Sequence, residues 1–228
     1  MLEELLSFEK DYFLAVNGSD SVFWNHFMWI MSDKLIWAPI AVFMLALLVY
    51  KQSWKKWLPM FIAIAVLFVL CDQFSSGICK PLFTRFRPTR HPEFMNEVKT
   101  LYGYMGGGKY GFISGHACNS FGFATLMTLL LRGKWFTITI FSWASIVAFS
   151  RVYLGVHFIS DVVAGAFSGI IIGILVYYLY RFYQKSVYKE NPIPAELSTQ
   201  RVNIMAGAML SYILILTIFN RQVVEMIK

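Results

Sequence analysis

The feature that most constrains this chain is a repeated long apolar stretch. Residues 35–50, 57–80, 116–131, 135–150, 157–180 and 203–220 contain only Asp72, Lys80 and Asp161 as charged side chains. About 20 apolar residues are needed for a helix to cross the hydrocarbon core of a bilayer. Inside that core each backbone N–H and C=O must be satisfied within the protein, which leaves helices as the spanning structure for segments of this kind. The 228-residue chain is 57% hydrophobic and 14% charged, too apolar for an ordinary soluble domain. The expected fold is all-α: a polytopic membrane helical bundle of about six transmembrane helices, forming a single domain over residues 1–228.

Residues 1–16 read differently. Leu2, Leu5, Leu6, Phe13 and Val16 recur among charges in roughly a helical stripe. This predicts an N-terminal amphipathic helix, lying on the bilayer surface or packed as a plain surface helix. Asn17-Gly18-Ser19-Asp20 is a turn. Val22–Ile30 is apolar but too short to cross, and Asp33-Lys34 interrupts it, so an interfacial segment should lead into the first span. Glu3, Glu4 and Glu9, with no basic region before an apolar core, argue against a cleavable signal peptide. Cys71 and Cys79 lie eight residues apart on one expected helix, about 12 Å along its axis and too far to bridge. With Cys118 they read as small apolar side chains without a redox role.

The net charge of +7 is better explained by a membrane than by nucleic acid. Lys51, Lys55, Lys56, Arg132, Lys134, Arg181, Lys185, Lys189 and Arg201 follow the first, third and fifth spans. The excess of basic residues places those turns in the cytoplasm, and both termini on the other side. Pro192 and Pro194 fall in the last of these loops. The second span has a polar far half, Asp72, Gln73, Ser75 and Ser76, which should face protein or water; Asp72 reads as support for a basic side chain or as an ordinary buried partner. Residues 81–113 form the longest loop, basic through Arg85, Arg87, Arg90, His91, Lys99 and Lys109, and rich in glycine between Gly103 and Gly111. The glycines favour a hinge over a phosphate cradle, since no P-loop pattern is present. Tyr102, Tyr104 and Tyr110 fit an interfacial aromatic belt. Gly165, Gly169 and Gly173 continue the four-residue spacing of His157 and Asp161, so that face should pack closely inside the bundle.

Three short stretches beside these spans carry chemistry. Lys80 is followed by Arg87-Pro88, Ser114-Gly115-His116 precedes the third span, and Ser150-Arg151 is followed by His157 and Asp161. On a helix His157 and Asp161 would share a face one turn apart. Ser114 stands where a helix N-cap belongs. His91 has no motif around it and is set aside.

In order and spacing these stretches resemble the three-part signature of the type 2 phosphatidic acid phosphatase (PAP2) superfamily. The pattern Lys-x6-Arg-Pro, Ser-Gly-His and Ser-Arg-x5-His-x3-Asp spans Lys80 to Asp161. Two departures are mild: Ile113 and Ile159 stand where the family often has proline. The resemblance implies a bacterial membrane lipid phosphatase working through a phosphohistidine. His157 would be the nucleophile, Asp161 would orient it, and His116 would be the general acid and base. Lys80, Arg87, Ser114, Gly115 and Arg151 would hold the phosphate. The expected partners are a lipid phosphate or diphosphate and the bilayer, with no nucleic acid, no metal and no cofactor. The expected place is the inner (plasma) membrane with the site on its extracytoplasmic face. Among family substrates, undecaprenyl diphosphate is favoured, with lipid A next and phosphatidate or phosphatidylglycerophosphate as further alternatives. A reading of another class is a non-catalytic lipid-phosphate binder or transporter on the same scaffold.

Overall fold

The computed structural model describes residues 2–93, 95–188 and 198–227, with side chains from residue 5 onward and not that of Tyr188. Lys189, Pro192 and Pro194 lie outside the described residues. The described residues are helical apart from loops and one isolated bridge between Phe86 and Tyr110. Ten helices follow in order: α1 Leu2–Asn17, α2 Val22–Ser32, α3 Ala38–Val49, α4 Trp54–Asp72, α5 Lys80–Phe83, α6 Gly115–Leu131, α7 Lys134–Tyr153, α8 Ile159–Tyr188, α9 Thr199–Ile218 and α10 Asn220–Ile227.

Four stretches among the described residues are long and apolar enough to cross a membrane: Trp54–Phe83, Lys134–Tyr153, Ile159–Val187 and Thr199–Ile218. Less than half of each is buried inside the bundle. Their remaining surfaces carry large apolar side chains such as Ile62, Phe167, Ile171 and Leu214, as a lipid-facing belt requires. The protein is thus a polytopic membrane helix bundle. The expected first span, 35–50, is shorter than anticipated. A 3-10 turn, Leu35–Trp37, leads into the 12-residue α3, and α2 joins this segment across a 74° bend. The break falls at Asp33, whose Oδ1 accepts from the backbone N–H of Leu35 at 2.7 Å. The expected third span is α6, of 17 residues, enclosed by α4, α7 and α8.

The centre of the bundle is the pairing of α6 with α8, and glycine makes it possible. A Cβ on Gly165 would stand 2.6 Å from the Ser114 carbonyl oxygen, and one on Gly173 would stand 2.7 Å from that of Gly122. A Cβ on Gly169 would run into the carbonyl of Cys118. The glycine face of α8 therefore lies against the α6 backbone, the close approach that small residues permit in membranes.

Between Trp54 and Phe83 the helix changes register. Gln73–Cys79 is a π-helical segment, a form concentrated at functional sites. It runs into α5, which ends at Thr84 in the left-handed region, φ 46°. Asp72, Ser76 and Lys80 all turn inward to one cavity. The three cysteines are free and buried; Cys71 Sγ lies 3.6 Å from the Cys118 carbonyl.

The basic turns gather at one end of the bundle. Arg201 donates to the carbonyls of Leu47 and Tyr50, and Arg132 to the Tyr177 hydroxyl. The three motif-bearing stretches sit at the opposite end. There α1 is docked rather than free: Leu6 and Phe13 are buried among Val98, Val152 and Phe158.

Candidate active site

Each motif reaches the site on a different element. Arg151 projects from the last turn of α7. His157 sits in the turn between α7 and α8, made possible by Gly155 at φ 73°. That corrects its expected place: it precedes α8 by two residues instead of lying on it. The pairing with Asp161 survives the change, because the turn folds back over the helix start. His157 Nδ1 lies 3.4 Å from Asp161 Oδ2, which also accepts from the Phe158 N–H at 3.0 Å. Gly111 is required here, since a Cβ would stand 2.9 Å from that same oxygen.

Arg87 arrives from the long loop. The bridge between Phe86 and Tyr110 closes that loop, and the carbonyls of Gly107 and Gly108 accept from the Arg87 guanidinium at 2.8 and 3.2 Å. The glycine run therefore cradles an arginine with its carbonyls. Arg87 also donates to the Val156 carbonyl and lies 2.9 Å from His157 Nε2. Arg151 donates to the Tyr104 hydroxyl at 2.9 Å and to Ser32 Oγ, while its buried Nε has no partner among the described residues. Lys80 Nζ donates to Ser76 Oγ at 2.8 Å.

Lys80, Arg87, Gly115, His116, Arg151 and His157 share the wall of one cavity. Ser114 and Asp161 stand behind that wall, fully buried. Ser114 is the N-cap of α6, its Oγ accepting from the Ala117 N–H at 3.4 Å, and its own N–H donates to the Asp161 carbonyl. The cap leaves the first-turn N–H groups of Gly115 and His116 without helical partners, as at any helix start. The cavity encloses about 960 Å³. Beyond the cationic end it runs between α3, α4, α6, α7 and α9, lined by Met44, Phe68, Phe123, Ile140 and Met209.

The electrostatics suit an anion. Arg87 and Arg151 are both nearly fully buried and face the same space. Burial, with Arg151 nearby, pulls the Arg87 guanidinium down to about 10. Burial first, then the charges of Arg87, Arg151 and Lys80, holds His157 well below the ordinary histidine value, so its imidazole is neutral at pH 7. No group of three or more His, Cys, Asp or Glu able to hold a metal occurs among the described residues.

The chain matches the PAP2 superfamily over residues 57–185. It is 36% identical to a lipid A 4'-phosphatase of Porphyromonas gingivalis over 231 aligned positions, covering 100% of this chain and 97% of that one. This chain belongs to the PAP2 superfamily. A lipid A 4'-phosphatase of Bacteroides thetaiotaomicron is 33% identical over 86% of this chain and 87% of its own length. An undecaprenyl-diphosphatase of Sulfolobus acidocaldarius is 29% identical over 72% and 74%. In fold, this PAP2 chain is similar to the crystal structure of Aquifex aeolicus LpxE, with a TM-score of 0.53 at 24% identity, covering 74% of this chain and 94% of that one. It is also similar to a transmembrane PAP2 type phosphatidylglycerolphosphate phosphatase from Bacillus subtilis, with a TM-score of 0.56 at 21% identity, covering 81% and 88%. The chain is therefore a PAP2-type membrane lipid phosphatase.

Sequence reasoning missed four side chains that build this site. Arg85 bonds to Asp161 and Glu9, Tyr104 to Arg151, and Ser32 to Arg151. Arg85 counted only as loop charge, and Tyr104 as part of an aromatic belt. The signal within reach was the position of Arg85, two residues before Arg87 in the same motif-bearing stretch.

Proposed function

We propose that this protein removes a phosphate monoester from lipid A in the inner membrane, with its site on the extracytoplasmic face. The observation that carries this reading is end-to-end similarity to a lipid A 4'-phosphatase, at higher identity and coverage than to an undecaprenyl-diphosphatase. It displaces undecaprenyl diphosphate from first place among the substrates. The apolar length of the cavity gives an acyl chain a place beside the cationic end. Ser32 and Glu9 join the site from the N-terminal helices, so α1 and α2 act as one unit with the motif-bearing helices.

The phosphate enters between Lys80, Arg87 and Arg151, and its oxygens take the donors that Arg87 now shares with glycine carbonyls. The Gly115 and His116 N–H groups, oriented by the Ser114 cap, add the positive end of α6. His157 Nε2 attacks phosphorus as the bond to the lipid oxygen breaks, and Asp161 stabilises the imidazolium that forms. The negative charge of the bound phosphate lets His116 carry a proton, which it gives to the departing oxygen. His116 then takes a proton from the water that attacks the phosphohistidine, releasing inorganic phosphate and restoring His157. The cations meet the charge that develops on the transferring group, so the chemistry calls for neither metal nor cofactor.

Purified protein in EDTA, assayed for phosphate release, tests the reading. The panel is lipid A, undecaprenyl diphosphate, phosphatidate, phosphatidylglycerophosphate and glucose 6-phosphate. Lipid A should give the highest kcat/KM, and EDTA should not inhibit. A higher kcat/KM on undecaprenyl diphosphate would overturn the substrate assignment. Activity lost in EDTA and restored by Mg²⁺ would overturn the metal-free chemistry. Lipid binding without turnover would favour the non-catalytic binder.

A further inference from the structure

The buried salt bridge behind His157 involves three residues, not two. Arg85 Nη1 donates to Asp161 Oδ1 at 2.9 Å, and Arg85 Nη2 donates to Glu9 Oε1 at 2.5 Å. The side chains of Arg85 and Asp161 are 1% and 0% exposed, and that of Glu9 is 11% exposed. Glu9 belongs to α1, about 150 residues away in sequence from the turn it serves. Its other oxygen accepts from the Ser160 N–H at 2.8 Å, and its Oε1 from the Ser160 hydroxyl at 2.8 Å. Ser160 is the second residue of α8, whose first-turn N–H groups have no helical acceptor. Glu9 therefore caps the helix that carries Asp161, from another helix.

We propose that Glu9 is a positioning residue for the reaction: through Arg85 and the α8 cap it holds Asp161, and so the His157 imidazole, aimed at phosphorus. The inference rests on the proposed roles of His157 and Asp161. Its geometry pins the catalytic turn on both flanks. After the turn, Glu9 holds Ser160. Before it, Asn17 Nδ2 donates to the Tyr153 carbonyl at 2.9 Å and to that of Lys99 at 2.9 Å, and Asn17 Oδ1 accepts from the Lys99 N–H. Phe158, inside the turn, packs between the Phe13 ring, 5.5 Å away, and the Arg85 guanidinium, 4.4 Å from its centroid.

Charge gives Glu9 a second effect. One guanidinium is divided between two carboxylates, so the trio keeps one net negative charge. Without Glu9, Arg85 would serve Asp161 alone and cancel the charge that has to face the developing imidazolium. Glu9 thus lets Arg85 orient Asp161 without neutralising it.

The test compares lipid A hydrolysis by full-length wild type, Glu9→Gln, Arg85→Lys and Lys10→Gln. Lys10 sits next to Glu9 on α1 but pairs outward with Glu97 at 3.1 Å, so its change removes an exposed ion pair from α1 and keeps Glu9. Misaimed reacting groups cost up to about a hundredfold, so Glu9→Gln should lower kcat about tenfold or more, with KM held within about twofold. Arg85→Lys keeps the charge, loses the fork and should show the same kcat-selective loss, which decides the matter even where Glu9→Gln does not fold. Lys10→Gln should leave both constants unchanged. Wild-type kcat in Glu9→Gln or in Arg85→Lys, or an equal loss in Lys10→Gln, overturns the relay. A wild-type protein that releases no phosphate from any lipid refutes the enzymatic reading itself, and the relay with it.

Discussion

An arginine cannot accept a hydrogen bond, so its contact with a histidine nitrogen decides where the histidine proton sits. Arg87 Nη1 stands 2.9 Å from His157 Nε2, which leaves Nε2 as the acceptor and puts the proton on Nδ1, toward Asp161. The lone pair is thus on Nε2, the form a nucleophile needs, and Arg87 releases it when the phosphate takes the guanidinium's donors. Burial of His157 first, and then the nearby cations, holds its pKa down. The sign follows: the neutral ring persists below the ordinary 6.5, and protonation comes only at lower pH. Nitrogen-15 histidine spectra, assigned with His157→Ala, should show no titration of His157 through pH 6.5; a midpoint there contradicts the electrostatics described. Replacing Arg87 or Arg151 by alanine should lower kcat about a hundredfold to a thousandfold, the usual loss for a transition-state donor. Near wild-type rates in either would remove that residue from the site. His157, Asp161, His116 and the three cations could be singled out because they fall in three short motifs that resemble the family signature, and the fold brings those motifs to one place. Glu9, Arg85, Ser32 and Tyr104 could not, because each acts through a partner 47 to 151 residues away.

At the scale of elements, α8 does two jobs with one face. Its start holds Asp161, and its glycines let the α6 backbone approach, which sets the Ser114 cap against the Asp161 carbonyl. Gly169→Leu would force side-chain atoms into the Cys118 carbonyl. Such overpacking costs about 1–3 kcal/mol, and the thermal midpoint in detergent should fall accordingly. An unchanged midpoint would mean that the two helices do not meet as described. The glycine ladder could be read from its four-residue spacing, as could the polar far half of the second span, which does face the cavity through Asp72 and Ser76. Asp33-Lys34 marked where the apolar stretch breaks, but the 74° angle between α2 and α3 and the π-helical register of Gln73–Cys79 leave no hydropathy pattern to read.

The molecule as a whole separates its cations by purpose. One end carries solvent-facing lysines such as Lys51, Lys55 and Lys56, the other the buried Arg85, Arg87 and Arg151. On the positive-inside rule the lysine end is expected in the cytoplasm, and the proposed topology has the site outside. The native cysteines are buried, so single new ones report the sidedness. A membrane-impermeant maleimide should label Asn96→Cys in intact spheroplasts, and Lys55→Cys only after permeabilisation. The reverse pattern would invert the topology and place the site on the cytoplasmic face. In the proposed mechanism a phosphoryl group is carried on His157 between two steps that His116 serves in turn. The most direct measurement is covalent trapping: the protein is mixed with lipid A radiolabelled in its phosphate, quenched in base, where phosphohistidine survives, and mapped by peptide. Label should appear on the His157 peptide of the wild-type protein quenched during turnover, and be absent from His157→Ala. Phosphate release by His157→Ala at the wild-type rate, with no label on the protein, would contradict the phosphohistidine mechanism.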